Sequence, residues 1–299
     1  MTTRLGFIGL GRMGGGMAHN LVAKHPGLMV FDPVEAAMTP VIENGAKAAT
    51  SIAEMATKTD LIFLCVPYAP EVRAVLFGAA GIPATGHKPR IVDTTTLDRQ
   101  DALDIAAEAA HFGLHYYDCP ISGMPLRAEN GTLTTMFGGP AEAFAQVKPF
   151  LKAFGEDTIH AGPLGSGQAM KAINNIIYDV NIAALAEVLP FAVKVGLDPD
   201  ALAHLVTTAS SRSFASEYFV PKMMARRFDT DFTLENAYKD IVNVQRMAIE
   251  TRASLPIVNA MVATYQAAMA AGFADEPKSA MLKVYEDRLA VRFEGSKDD

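Results

Sequence analysis

Cysteine is scarce in this chain of 299 residues, which has two. Two thiols cannot build a disulfide framework, so the fold must rest on its own core. Cys65 follows the run Leu61-Ile62-Phe63-Leu64 and Cys119 sits in Tyr117-Asp118-Cys119-Pro120. Both read as small buried hydrophobes. Long apolar runs are missing too: none reaches the ~20 residues that span a bilayer, so no membrane partner is expected. A leader-type segment is also not evident. The apolar stretch 5–9 begins almost at once and flows into a glycine-rich turn, which reads as a structural strand. The expected location is therefore cytoplasmic. Positive charge has no stripe: 26 Lys and Arg stand against 33 Asp and Glu, a net charge of −7. That excludes nucleic acid as an expected partner. The seven histidines are scattered. His111 and His115 are four apart, but Gly113 lies between them, and no metal site is expected. Internal repeats and low-complexity segments are absent as well.

What is present is core-forming material, with half of the residues hydrophobic. In the first half, short apolar runs at 5–9, 28–32, 61–67 and 90–93 end at Gly, Asp or Pro. They lack alternation, which suits strands covered on both faces. Helical stretches such as 14–24 and 51–56 separate them, giving βαβ units and a parallel sheet. Further strands are expected at 114–119, 133–137 and 158–161. The composition shifts at Gly162-Pro163-Leu164-Gly165-Ser166-Gly167. Residues 168–195 then read as one long helix, which Pro190 should kink. Gly196 is placed to cap it, and Asp198-Pro199 to start the next helix. Residues 200–293 carry helical periodicity, and 294–299 should fray. The expected fold is α/β. A Rossmann-type, doubly wound domain over 1–162 is joined by a long interdomain helix to an all-α domain over 163–299. Such an apolar helix needs cover, so a homodimer or homotetramer is expected.

The first strand runs into Gly9-Leu10-Gly11-Arg12-Met13-Gly14, a GxGxxG between strand and helix. Gly9 suits the tight turn, Gly11 a close approach of the backbone to a pyrophosphate, and Gly14 close helix–strand packing. The first-turn N–H groups then face the anion, so a net-negative protein can still hold an anionic cofactor. Asp32 ends the second strand, where a carboxylate can accept from both adenosine ribose hydroxyls. It would repel a 2′-phosphate by roughly 3 kcal/mol at ~5 Å and an effective dielectric of ~20, which favours NAD over NADP. A helix cap before Pro33 is the competing reading of Asp32.

Lys171 and Asn175 are four apart on the long helix and share a face with Asn174. Among Ala169, Met170, Ala172 and Ile173 the amine would be partly desolvated. Desolvation lowers a lysine pKa towards the range useful for proton transfer. Taken alone, these residues fit a solvated surface lysine equally well.

Four separated segments, in order, carry a resemblance. They are the glycine turn ending in Met13-Gly14, Asp118-Cys119-Pro120-Ile121-Ser122-Gly123, the stretch 165–175, and Phe232 with Lys239-Asp240. Over essentially its whole length the chain resembles the β-hydroxyacid dehydrogenase family, which includes 3-hydroxyisobutyrate, tartronate-semialdehyde and 6-phosphogluconate dehydrogenases. The resemblance implies that Lys171 is the catalytic lysine and Asn175 its companion amide. It implies that Ser122 and Gly123, with Met124, hold the substrate carboxylate, and that Asn174 lines the substrate. It implies that Val66, Pro67 and Thr96 line the nicotinamide side, beside Gly9, Gly11, Arg12, Met13, Gly14 and Asp32. Lys239 lies near cofactor and substrate on the same grounds. Thr96 as a helix cap and Lys239 as a helix-surface charge are the competing readings.

The chain also departs from the family. Met124 stands where a second glycine is usual, Arg127 where a small residue is common, and Asn174 where sugar-acid members have histidine. Arg127 either clamps a second acidic group of the substrate or faces solvent. Ser210-Ser211-Arg212-Ser213 either reaches the pocket or forms a helix-terminal turn. The implied activity is NAD-dependent oxidation of a small 3-hydroxy acid, or the reverse reduction, with Lys171 as general acid/base. Three other readings compete: an NADPH-linked semialdehyde or glyoxylate reductase, an imine reductase, and a non-catalytic dinucleotide-binding scaffold.

Overall fold

A computed structural model describes residues 3–79, 81–228 and 232–296. The chain divides into two compact units, Met1–Lys171 and Ala172–Asp299. The division falls inside the long helix, beyond the composition shift at 162.

The first unit alternates strand and helix. It begins β1 (Leu5–Ile8), α1 (Gly14–Lys24), β2 (Met29–Phe31), α2 (Glu35–Glu43), β3 (Lys47–Ala48) and α3 (Ile52–Lys58). It continues through β4 (Leu61–Leu64), α4 (Ala69–Phe77), β5 (Arg90–Asp93), α5 (Arg99–His111) and β6 (Tyr116–Asp118). The last part holds β7 (Ile121–Ser122), α6 (Pro125–Glu129), β8 (Leu133–Gly138), α7 (Ala141–Leu151) and β9 (Gly155–Gly162). The sheet runs β3-β2-β1-β4-β5-β6-β8-β7, with β9 paired to β8. The pairs from β3 across to β6 are all parallel. β8 runs antiparallel to β6 and β7, and parallel to β9. The 3-2-1-4-5-6 order of the parallel part is that of the doubly wound dinucleotide fold expected from the sequence. Every residue of β1 and β4 is buried, as their unbroken apolar runs require. Phe7 on β1 lies opposite both Val30 and Phe63, so a row of large apolar side chains crosses the centre of the sheet.

The second unit is helical: the greater part of α8 (Ser166–Lys194), then α9 (Pro199–Thr208), α10 (Phe214–Met224), α11 (Leu234–Thr251), α12 (Pro256–Ala270) and α13 (Met281–Leu289). Residues 229–231, within the stretch expected to be helical, lie outside the described residues. α8 passes through Pro190 as one element. It ends as expected at Gly196, whose φ is +93°. The Gly196 N–H donates to Val193 O at 2.9 Å and the Leu197 N–H to Ala192 O at 3.1 Å, the paired bonds of a Schellman cap. The Asp198 side chain then caps α9 by accepting from the Ala201 N–H at 2.8 Å. Ala172, Ile176, Ala183, Ala186 and Leu189 form the buried face of α8, packed in one core with Phe219, Tyr265, Met281 and Phe293. Within that core Lys278 donates to Asp179 at 2.5 Å, a fully internal ion pair.

Two expectations are corrected. α8 is long and apolar enough by composition to pass as a membrane span, so the sequence does hold such a run. Its buried face packs in the helical core, which takes up part of that apolar content. The tail does not fray from residue 294 either. Phe293 is buried, the Gly295 N–H donates to Met224 O at 3.1 Å, and the Ser296 N–H to the Asp200 carboxylate at 3.0 Å. Its anchor is Glu286, which accepts two bonds from Arg226 and one from the Phe293 N–H. Residues 297–299 of that expectation lie outside the described residues.

Candidate active site

The segments singled out in the first unit follow the C-terminal ends of parallel strands, the edge where open α/β sheets bind ligands. After β1 the chain must turn sharply against β4. Gly9 adopts φ +91°, and a Cβ there would meet Cys65 O at 2.2 Å. A Cβ on Gly14 would lie 1.9 Å from Gly9 O, so helix and strand approach as closely as the motif requires. Gly11 differs, because a Cβ there would meet nothing within 4 Å. Intramolecular packing does not demand glycine at this exposed position; a backbone that an anion must approach does. α1 starts without a side-chain cap at Met13 and without an acid in its first turn, leaving its N–H dipoles to an anion. Arg12 is exposed and Met13 half-buried.

Asp32 holds this turn in place. One carboxylate oxygen accepts from the Leu10 N–H at 2.7 Å and the other from the Val34 N–H at 2.8 Å. It is not the cap of α2, whose N-cap residue is Val34. A carboxylate has about four acceptor positions, so two bonds leave room for ribose hydroxyls.

After β4, Val66 is half-buried and its N–H donates to the Thr95 hydroxyl at 3.2 Å; Pro67 is exposed. After β5, Thr96 is exposed. It is not a helix cap, since Asp98 caps α5 through the Gln100 N–H. Burial pushes the Cys65 thiol up to about 11, which makes it a poor nucleophile. Burial likewise raises the Cys119 thiol.

The 120–124 segment places Ser122, half-buried, on β7. Gly123 has φ +144°, and a Cβ there would strike Leu133 at 2.6 Å. Met124 is exposed. Arg127 is committed nearby: its guanidinium donates to Thr132 O and lies 3.8 Å from the Glu156 carboxylate. Those partners do not support a substrate clamp.

Two residues to which the sequence reading gave no role organise the start of α8. Asp118, fully buried at the end of β6, accepts from the Gly165 N–H at 2.7 Å and the Gln168 N–H at 2.8 Å. A Cβ on Gly138 or Gly167 would come within 2.2 Å or 2.8 Å of its carboxylate, so those glycines make room for it. The buried Gln168 amide donates to Thr95 O at 2.7 Å and accepts from the Leu97 N–H at 3.0 Å. Asp93 lies beside Asp118 in the sheet register. It accepts from the Thr95 N–H at 2.9 Å and the Tyr116 hydroxyl at 2.7 Å. Burial raises both carboxyls, Asp93 to about 6. The sequence signal was Asp at the ends of two successive strands. Lys171 follows one turn after Gln168 and is half-buried, between the partial exposure of Met170 and the buried Ala172.

In the second unit Asn175 is half-buried and donates to the Asp240 carboxylate on α11 at 2.8 Å. Asn174 is exposed, with its amide 3.3 Å from Asn175 Oδ1. Asp240 is a third such residue; its signal was its place directly after Lys239. Lys239 is exposed on α11, 3.4 Å from Asn236 Oδ1. Ser213 caps α10 with Ser216 in a reciprocal capping box, so 210–213 form a helix-terminal turn.

Residues 4–162 match the family described as the NAD binding domain of 6-phosphogluconate dehydrogenase. Residues 165–285 match the family described as NAD-binding of NADP-dependent 3-hydroxyisobutyrate dehydrogenase. The 2-(hydroxymethyl)glutarate dehydrogenase of Eubacterium barkeri is 34% identical over 98% of this chain and 98% of its own. The chain belongs to the β-hydroxyacid dehydrogenase family. Another relative, the 3-hydroxyisobutyrate dehydrogenase of Pseudomonas aeruginosa, is 35% identical over 73% of this chain and 74% of its own. The crystal structure of the 3-hydroxyisobutyrate dehydrogenase from Salmonella typhimurium superposes with a TM-score of 0.82 at 28% identity, covering 95% of this chain and 100% of that one. The first unit of this β-hydroxyacid dehydrogenase is accordingly a nicotinamide-dinucleotide-binding domain, and its glycine turn fits that cofactor.

Proposed function

We propose that this protein oxidises a small 3-hydroxy acid to its semialdehyde or keto acid, or runs the reverse reduction, with Lys171 as the general acid/base. The observation that carries the reading is the 98% coverage by a hydroxy-acid dehydrogenase, combined with a lysine and an asparagine four apart on α8. When bound, the nicotinamide supplies the hydride acceptor or donor. The Ser122 hydroxyl and the backbone of Gly123 and Met124 hold the substrate carboxylate. Lys171, neutral in the oxidising form, takes the hydroxyl proton; in reduction the ammonium returns it to the carbonyl oxygen. Asn175, fixed through its amide by Asp240, hydrogen-bonds the reacting oxygen. Val66, Pro67 and Thr96 line the nicotinamide side, with Lys239 and Asn174 at the margin.

Asp32 supports NAD over NADP, because its carboxylate would face a 2′-phosphate. The protein is proposed to act in the cytoplasm as an assembly of two or more copies. The experiment is a spectrophotometric screen of 3-hydroxy acids and their aldehydes with each dinucleotide. Turnover with at least one hydroxy acid, and at least tenfold better kcat/KM with NAD than NADP, is expected. No turnover across the panel contradicts the assignment; preference for NADP contradicts the role of Asp32.

A further inference from the structure

Thr96 presents an unusual problem of support. It is exposed, it follows the last residues of β5, and no helix begins at it. Yet both peptide groups that flank it are held by one side chain. Gln168 Nε2 donates to the carbonyl of Thr95, and Gln168 Oε1 accepts from the N–H of Leu97. The amide therefore brackets Thr96 on either side. Gln168 is 1% exposed, so neither bond competes with bulk water.

The bracket is tied at its other end to the helix. The Gln168 and Gly165 backbone N–H groups donate to the two oxygens of Asp118. Asp93, in register with Asp118 on the neighbouring strand, accepts from the Thr95 N–H. The Thr95 hydroxyl in turn accepts from the Val66 N–H. Residues 66, 95–97 and the first turn of α8 thus form one hydrogen-bonded frame inside the first unit, with Thr95, Leu97 and Gln168 buried in it. Lys171 lies three residues after Gln168, one turn further along the same helix.

We propose that Gln168 is a positioning residue, which fixes the Thr96 loop relative to the helix turn that carries Lys171 and so sets hydride and proton transfer in common register. The proposal rests on the reading in which Thr96 lines the nicotinamide and Lys171 moves the proton. Glutamine is chemically specific here. One donor and one acceptor at the end of a three-carbon reach are both needed; glutamate lacks the donor, methionine lacks both, and asparagine is one methylene short. An error near 1 Å between reacting groups is worth on the order of 100-fold in rate.

The test compares Gln168→Met and Gln168→Glu with the unmodified protein. kcat, the primary deuterium isotope effect on kcat with substrate deuterated at the carbinol carbon, and the dissociation constant for NAD are measured on protein that melts cooperatively. The clamp predicts at least a tenfold lower kcat, a larger isotope effect, and NAD affinity within about threefold of normal. A support role alone would lower the melting temperature without moving the isotope effect. A Gln168→Met protein with kcat within twofold of normal overturns the proposal, as does a loss of kcat that only tracks the folded fraction. If Gln168→Met does not fold, Gln168→Glu decides on the same criteria. Lys171→Ala in the same assay separates the two claims. An inactive Lys171→Ala beside a fully active Gln168→Met sinks the clamp alone, whereas an active Lys171→Ala sinks the proton-transfer reading.

Discussion

At the residue scale, the buried carboxylates of the first unit do different work from surface acids. Asp93 and Asp118 occupy successive strand ends and hold backbone N–H groups. Burial is the first cause of the raised Asp93 carboxyl, which titrates near 6 against about 3.9 in an unfolded chain. The folded state therefore holds this proton more tightly. Below about pH 4 the group costs no stability; as pH climbs from about 4 to about 6 its ionisation removes roughly 3 kcal/mol. Asn at this position keeps an acceptor for the Thr95 N–H and has no charge to bury. Asp93→Asn should gain stability over the unmodified protein between pH 4.5 and 7, read as a shift in urea midpoint. An unchanged difference across that range contradicts a raised Asp93 pKa. The sequence showed Asp at two successive strand ends but not the burial that raises them, which depends on the packed sheet. The glycine turn was legible, because only packing and positive φ explain Gly9 and Gly14, and Gly11 is explained by neither.

At the element scale, the sequence disclosed what has a long hydrophobic period and hid what has none. The helix expected over 168–195 is α8, Ser166–Lys194, and the expected capping glycine carries both Schellman bonds. β3 and β7 have two residues each, and β3 is exposed throughout. Such strands form because a neighbour offers unpaired backbone groups, so no run of apolar residues marks them. α8 also has an outward stripe. Ile173, Ile177, Val188 and Phe191 lie within about 60° of one another around the helix, each roughly half exposed. Four large apolar groups on one side of the helix exceed the scattered exposure of a monomer surface. We expect light scattering to give a mass of two or more copies, and Phe191→Glu to shift it towards one copy while the melting temperature of the separated chain barely changes. A monomeric unmodified protein contradicts this use of the stripe.

At the scale of the whole molecule, the residues that the proposed reaction uses fall on both units. The glycine turn, the Thr96 loop and Lys171 belong to the first; Asn175, bonded to Asp240, belongs to the second. Asp240 was given no role of its own because the contact that gives it meaning joins residues 65 apart. Gln168 escaped because its partners are backbone groups more than 70 positions away, on which periodicity has no bearing. The proposed reaction depends on one amine, that of Lys171. The most direct measurement is single-turnover reduction or oxidation by Lys171→Ala, with saturating substrate and dinucleotide, beside dinucleotide titration of the same sample. The predicted result is unchanged dinucleotide binding, a hydride-transfer rate lower by about 100- to 10,000-fold, and partial recovery on adding a small primary amine. A variant that transfers hydride at the normal rate would show that the proton moves by another route.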